Sequence, residues 1–152
     1  MYSNGGIDET VDVLTSAVFF CEKLGIDMPA NSWIQIAALS GFLAVALGAF
    51  GAHGLKDRLT ADMMAVYQTA VLYHFLHTFA LLVVALLMLH WGKSTLLMVS
   101  AWSFLVGLLI FSGSLYILTL TGIKILGAIT PIGGLALLMA WATLFFSAFK
   151  AA

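Results

Sequence analysis

Residues 63–122 read MMAVYQTAVLYHFLHTFALLVVALLMLHWGKSTLLMVSAWSFLVGLLIFSGSLYILTLTG, two long apolar runs joined at Gly92-Lys93-Ser94, with Lys93 the one formal charge. Each run exceeds the roughly 20 residues that a helix rising about 1.5 Å per residue needs to cross a hydrocarbon core of about 30 Å. The pattern extends outward in both directions. From Trp33 to Ala152 the chain is four apolar pieces cut by three short polar turns, the first carrying Lys56, Asp57, Arg58 and Asp62, the second Lys93 and the third Lys124. Composition agrees: 62% of the 152 residues are hydrophobic and 9% charged, against about 25% charged in soluble domains. The sequence predicts an all-α, multi-pass membrane protein with the bilayer as its first partner.

Charge and cysteine usage narrow the function classes. A net charge of -1 supplies no basic patch for nucleic acid, so no nucleic-acid partner is expected. The single cysteine, Cys21, excludes an internal disulfide and a cysteine-based metal cage. Residues 1–31 form a separate extension that holds five of the seven acids (Asp8, Glu9, Asp12, Glu22 and Asp27) and lacks the basic start of a secretory signal. Within it, Val11, Leu14, Val18 and Cys21 recur at helical spacing and predict a short amphipathic helix over 8–24.

The turns set the predicted spans of the domain 32–152. Ser32 and Gln35 have capping-box spacing, so the first helix is expected over 33–53, closed by Gly54. Thr60 as N-cap opens the second, over 61–90. The third is expected over 95–121, after Gly92-Lys93-Ser94, and the fourth over 125–149, with Pro131 either kinking it or, with Thr130 as cap, marking its start. Short turns between apolar helices imply an up-down-up-down four-helix bundle. Basic residues divide three against three between the two membrane sides, and only the closeness of Lys56 and Arg58 to the membrane favours a cytoplasmic first turn. Small residues supply the packing signal, because helices in lipid gain most from close approach. Gly41, Gly48 and Gly51 lie on one stripe of the first helix, Gly107 on the third, and Gly133 and Gly134 beside Pro131 on the fourth.

Polar residues are scarce in the spans and are expected on the membrane side that holds the first and third turns. His53 ends the first helix; Tyr67, Tyr73, His74 and His77 lie on the second, Ser112, Ser114 and Tyr116 on the third, and Thr130 on the fourth. His74 and His77 are three apart and share one helical face. Pro131 leaves the carbonyl of Gly127 without its usual donor, a vacancy a histidine can fill. The cluster is read first as interhelical hydrogen bonding. A transport or proton pathway is the second reading, opposed by the lack of any Asp, Glu, Lys or Arg within the spans. A His-ligated metal or haem is the third, with His53 as a further nitrogen and no acidic ligand. No hydrolase or metalloprotease motif is present, so neither catalytic residues nor a cofactor are expected.

The cluster also carries a resemblance. LGAFGAHGL at 47–55, YQTA at 67–70 leading to YHFLH at 73–77, FSGSLY at 111–116, and TPIGG at 130–134 followed by Trp141 resemble the YgdD/YwdK-like family of small four-helix membrane proteins. The resemblance covers Trp33 to the C-terminus. It implies a bacterial inner-membrane location, animal relatives and no established reaction, substrate or cofactor, and its recurrent positions fall on His53, His77, Tyr116, Pro131, Gly133 and Gly134. Met28 sits where a family-like start falls, so residues 1–27 read as an addition or as a start assigned too far upstream. A non-enzymatic structural or accessory component is expected, self-associating or part of a larger membrane complex.

Overall fold

The computed structural model describes residues 28–151, so the amphipathic helix expected over 8–24 lies outside the described residues. Four helices follow in order: α1 (Ala30–Phe50), which widens into a π-helical turn at Gly51–Leu55, then α2 (Ala61–Trp91), α3 (Thr95–Thr121) and α4 (Leu126–Ala151). All four are long and apolar enough to cross a membrane, α1 and its π turn forming one span.

The helix ends follow local chemistry, with two departures from expectation. Thr60 and Ser94 cap α2 and α3, their hydroxyls each accepting from a backbone N–H at 3.3 Å, those of Met63 and Leu97. Gly92 and Gly122 end α2 and α3 at φ 84° and 73°, a region side-chain-bearing residues avoid. The start of α1 departs. Pro29 takes the N-cap position and its carbonyl accepts from Ser32 N at 3.0 Å, so Ser32 lies inside the first turn and the Ser32–Gln35 box does not cap the helix. Proline's fixed φ and missing donor suit that place. At the other end α1 does not stop at Gly54; the π turn carries it to Leu55. Pro131 lies within α4, and Thr130 is helical, its hydroxyl bonded to the Leu126 carbonyl at 3.2 Å.

Packing follows chain order. α1 lies on α2, α2 on α3, and α3 most extensively on α4, whereas α1 and α4 do not pair. Accordingly 44% and 50% of the most apolar windows of α2 and α3 are buried, against 22% for both α1 and α4, which makes α1 and α4 the outer helices. The core is built around Trp33, Leu81, Val84, Ala85, Leu97, Ala101, Phe104 and Ala140, with a smaller group of Leu55, Tyr67, Ala70 and Tyr116. The α3–α4 crossing is close because Gly133 has no side chain: a Cβ there would stand 2.9 Å from the Phe111 Cα. Phe42, Leu135, Leu138 and Phe149 point outward, as side chains facing acyl chains do.

Candidate functional site

His74 is the hub of a hydrogen-bonded chain through three helices. On one side its Nε2 lies 3.1 Å from the Ser40 hydroxyl of α1, which also bonds Thr78 of α2 at 2.6 Å. On the other its Nδ1 lies 3.3 Å from the Tyr116 hydroxyl of α3. All four residues are buried. Thr78 and His74 are one turn apart on α2, so a single α1 hydroxyl reaches both. The chain runs from Ser40 near the middle of the α1 span, through His74 and Thr78 near the middle of α2, to Tyr116. The sequence places His74 and Tyr116 toward the membrane side of the first and third turns; in the structure Ser40, His74 and Thr78 lie near the middle of their helices and Tyr116 five residues from the end of α3, depths at which a polar group without a partner costs several kcal/mol in hydrocarbon.

Tyr67 stands beside this chain, on the side of the first turn. Its hydroxyl donates to the Leu47 carbonyl at 2.8 Å, and its ring lies 5.1 Å from that of Tyr116. Gly51 gives the ring its room, since a Cβ at Gly51 would overlap it. The π turn therefore sits against Tyr67 at the position where α1 would otherwise continue as an ordinary helix.

His77 points elsewhere. Its Nδ1–H donates to the Tyr73 carbonyl at 2.8 Å, and because that carbonyl can only accept, the proton is assigned to Nδ1. Its ring stacks on Tyr73 at 5.5 Å and meets Phe104 and Trp141 at 5.9 and 6.4 Å. Tyr73 in turn stacks on Phe111 at 4.3 Å. A third group joins α3 to α4: the Ser114 and Thr130 hydroxyls meet at 2.9 Å, and nearer the terminal side Ser100 donates to the Ala140 carbonyl at 2.9 Å. The Ser112 hydroxyl is buried without a hydrogen-bond partner among the described residues.

The expected single cluster is thus three separate groups. His53 is exposed on the π turn and has no described contact with His74 or His77. His74 faces α1 and α3, while His77 faces the α3–α4 side, because three residues on a helix leave about 60° between side chains. No group of three His, Cys, Asp or Glu side chains able to hold a metal occurs among the described residues. The hydrogen bonds of His74 and His77 go to Ser40, Tyr116 and Tyr73, so the Gly127 carbonyl opposite Pro131 is not filled by them. Sequence reasoning missed Ser40 and Thr78. The signal was present in the α1 stripe, where Ser40 falls between Ala37 and Ala44 at helical spacing, and in the four-residue step from His74 to Thr78.

Gly41 and Gly48 lie opposite α2, with Thr78 Cγ2 and Val71 Cγ1 at 3.7 and 3.4 Å from an added Cβ. Gly107 lies under Leu137, whose Cδ2 would be 2.7 Å from such an atom, whereas Gly134 has only the Phe111 ring edge at 3.9 Å.

Four apolar spans in sequential contact, joined by buried hydroxyl and imidazole groups, define a multi-pass membrane protein. The chain belongs to the family described as protein of unknown function DUF423, which matches residues 47–134. It is 42% identical to the UPF0382 membrane protein YwdK of Bacillus subtilis over 118 residues, covering 78% of this chain and 96% of the relative. It is 44% identical to a UPF0382 membrane protein of Haemophilus influenzae over 120 residues, covering 79% and 95%. A Staphylococcus saprophyticus relative is 41% identical over 120 residues, covering 78% and 97%. No solved structure matches the chain.

Proposed function

We propose that this protein is a non-catalytic structural or accessory component of a bacterial cytoplasmic membrane assembly, held in one helix arrangement by its buried polar groups. The observation that carries the reading is the Thr78–Ser40–His74–Tyr116 chain, in which both ring nitrogens of His74 are engaged by hydroxyls of neighbouring helices. An imidazole so engaged fixes helix register and rotation, and interhelical bonds of this type contribute on average about 0.6 kcal/mol and up to about 1.7 kcal/mol each. The exposed faces of α1 and α4 leave room for association with a second copy or with other membrane proteins.

His74→Ala is expected to lower the melting temperature in mild detergent, and His77→Ala to do so less, since His77 bonds only within its own helix. Purification in mild detergent at native expression, followed by mass spectrometry, should recover a stable set of membrane partners or a homo-oligomer. Unaltered melting of His74→Ala together with loss of a solute flux in proteoliposomes would overturn the reading in favour of a transporter.

A further inference from the structure

A cleft of about 300 Å³ opens between the end of α1 and the start of α2, at the lower end of the roughly 300–1,000 Å³ range of small-molecule sites. It is lined by Gly48, Gly51, Tyr67, Val71, Leu72 and Phe75. Leu72 and Ala52 are exposed, so the cleft opens sideways, within the membrane-spanning part of both helices. Gln68 also lines it, and its amide makes no hydrogen bond among the described residues. An apolar slot with one unpartnered amide suits an amphiphile: hydrocarbon in the slot, and an ester or hydroxyl oxygen against the amide.

The turn just beyond the cleft decides which amphiphile. Lys56, Asp57 and Arg58 follow the π turn, Asp62 opens α2, and all four are exposed. Two cations and two carboxylates within seven residues complement a zwitterion rather than a net anion, the phosphate meeting Lys56 and Arg58 and a primary ammonium donating to Asp57 and Asp62. A quaternary ammonium has no N–H to donate. We propose that this cleft is a binding site for a zwitterionic aminophospholipid, one acyl chain lying between α1 and α2 and the headgroup at the first turn. None of Ser40, His74, Thr78 and Tyr116 lines the cleft, although Tyr67 borders both, and the proposal does not depend on the accessory role.

The test reconstitutes the full chain into vesicles containing equal parts of phosphatidylethanolamine, phosphatidylglycerol and phosphatidylcholine. The protein is then extracted in mild detergent, and retained phospholipid is measured by mass spectrometry. The chain is expected to keep phosphatidylethanolamine over the other two. Ala52→Phe, which fills the slot, is expected to lose the retained lipid at unchanged melting temperature, with Leu72→Trp as a second filling variant should the first fail to fold. Asp57→Asn with Asp62→Asn, which removes the acceptors for the primary ammonium, is expected to keep a phospholipid but lose the headgroup preference. Equal retention of all three headgroups by the unaltered chain, or undiminished retention by a folded slot-filling variant, overturns the proposal.

Discussion

A serine hydroxyl has one proton and two lone pairs, and Ser40 directs them at both Thr78 and His74 from a single position on α1. Replacing it by alanine removes both bonds at once and leaves the Thr78 hydroxyl and the Nε2 of His74 without their α1 partner, while Nδ1 of His74 keeps Tyr116. Leaving buried groups unsatisfied costs about 1–3 kcal/mol. Ser40→Ala is therefore expected to destabilise the protein by about that amount, measured as a shift in the unfolding midpoint when dodecyl sulfate is titrated into mixed micelles. Ser40→Thr, which keeps the hydroxyl, should recover most of the loss. A midpoint unchanged by Ser40→Ala would mean that the Ser40 bonds do not hold α1 to α2. Ser40 is hard to find in the sequence because serine is common on small-residue stripes, and only the rotation of α1 against α2 gives its hydroxyl two partners. His53 shows the opposite case: its place at the end of the first helix puts it on the membrane side of the expected cluster, yet the π turn leaves it exposed.

At the scale of the element, the four spans were legible because apolar length, turn charge and the Thr60, Ser94 and Gly122 signals all point the same way. The start of α1 was not, because the Ser32–Gln35 spacing reads as a capping box, whereas Pro29 takes the cap position and puts Ser32 inside the first turn. The division of the polar cluster was not legible either. It depends on which helix each face meets, and His74 and His77 diverge only once α1 and α4 are placed on opposite sides of the α2–α3 pair. The glycines of α4 can be ranked with the structure in hand. A Cβ at Gly133 meets the Phe111 backbone, which cannot yield without moving α3, whereas one at Gly134 has 3.9 Å to a ring edge. Overpacking of this kind costs about 1–3 kcal/mol. Gly133→Ala is expected to destabilise the bundle by that much, while Gly134→Ala is neutral or gains up to about 1 kcal/mol of helix propensity. Thermal unfolding of the two variants in the same detergent checks the ranking, and equal effects would contradict the close α3–α4 approach.

At the scale of the molecule, the sequential order of helices predicts which surfaces meet lipid. A closed ring would bring α1 against α4 and shelter surface on both; here they do not pair, and both keep most of their apolar surface outside. The four tryptophans serve as reporters. Trp33 of α1 is fully buried at 0% exposure, in edge-to-face contact with Trp102 at 5.0 Å. Trp141 of α4 is 49% exposed while one side of its ring rests on Phe104 at 5.1 Å. In vesicles whose acyl chains carry bromine, a chain retaining only Trp141 should be strongly quenched, and one retaining only Trp33 weakly. The comparison also addresses assembly. If copies associate through α4, Trp141 quenching should fall as the protein-to-lipid ratio rises, with Trp33 unaffected. If association uses α1 through Phe42, Trp141 should stay quenched at every ratio, and a tryptophan placed at position 42 in a chain lacking the other four should become protected instead. Equal quenching of Trp33 and Trp141 in dilute vesicles would contradict the outer position of α4.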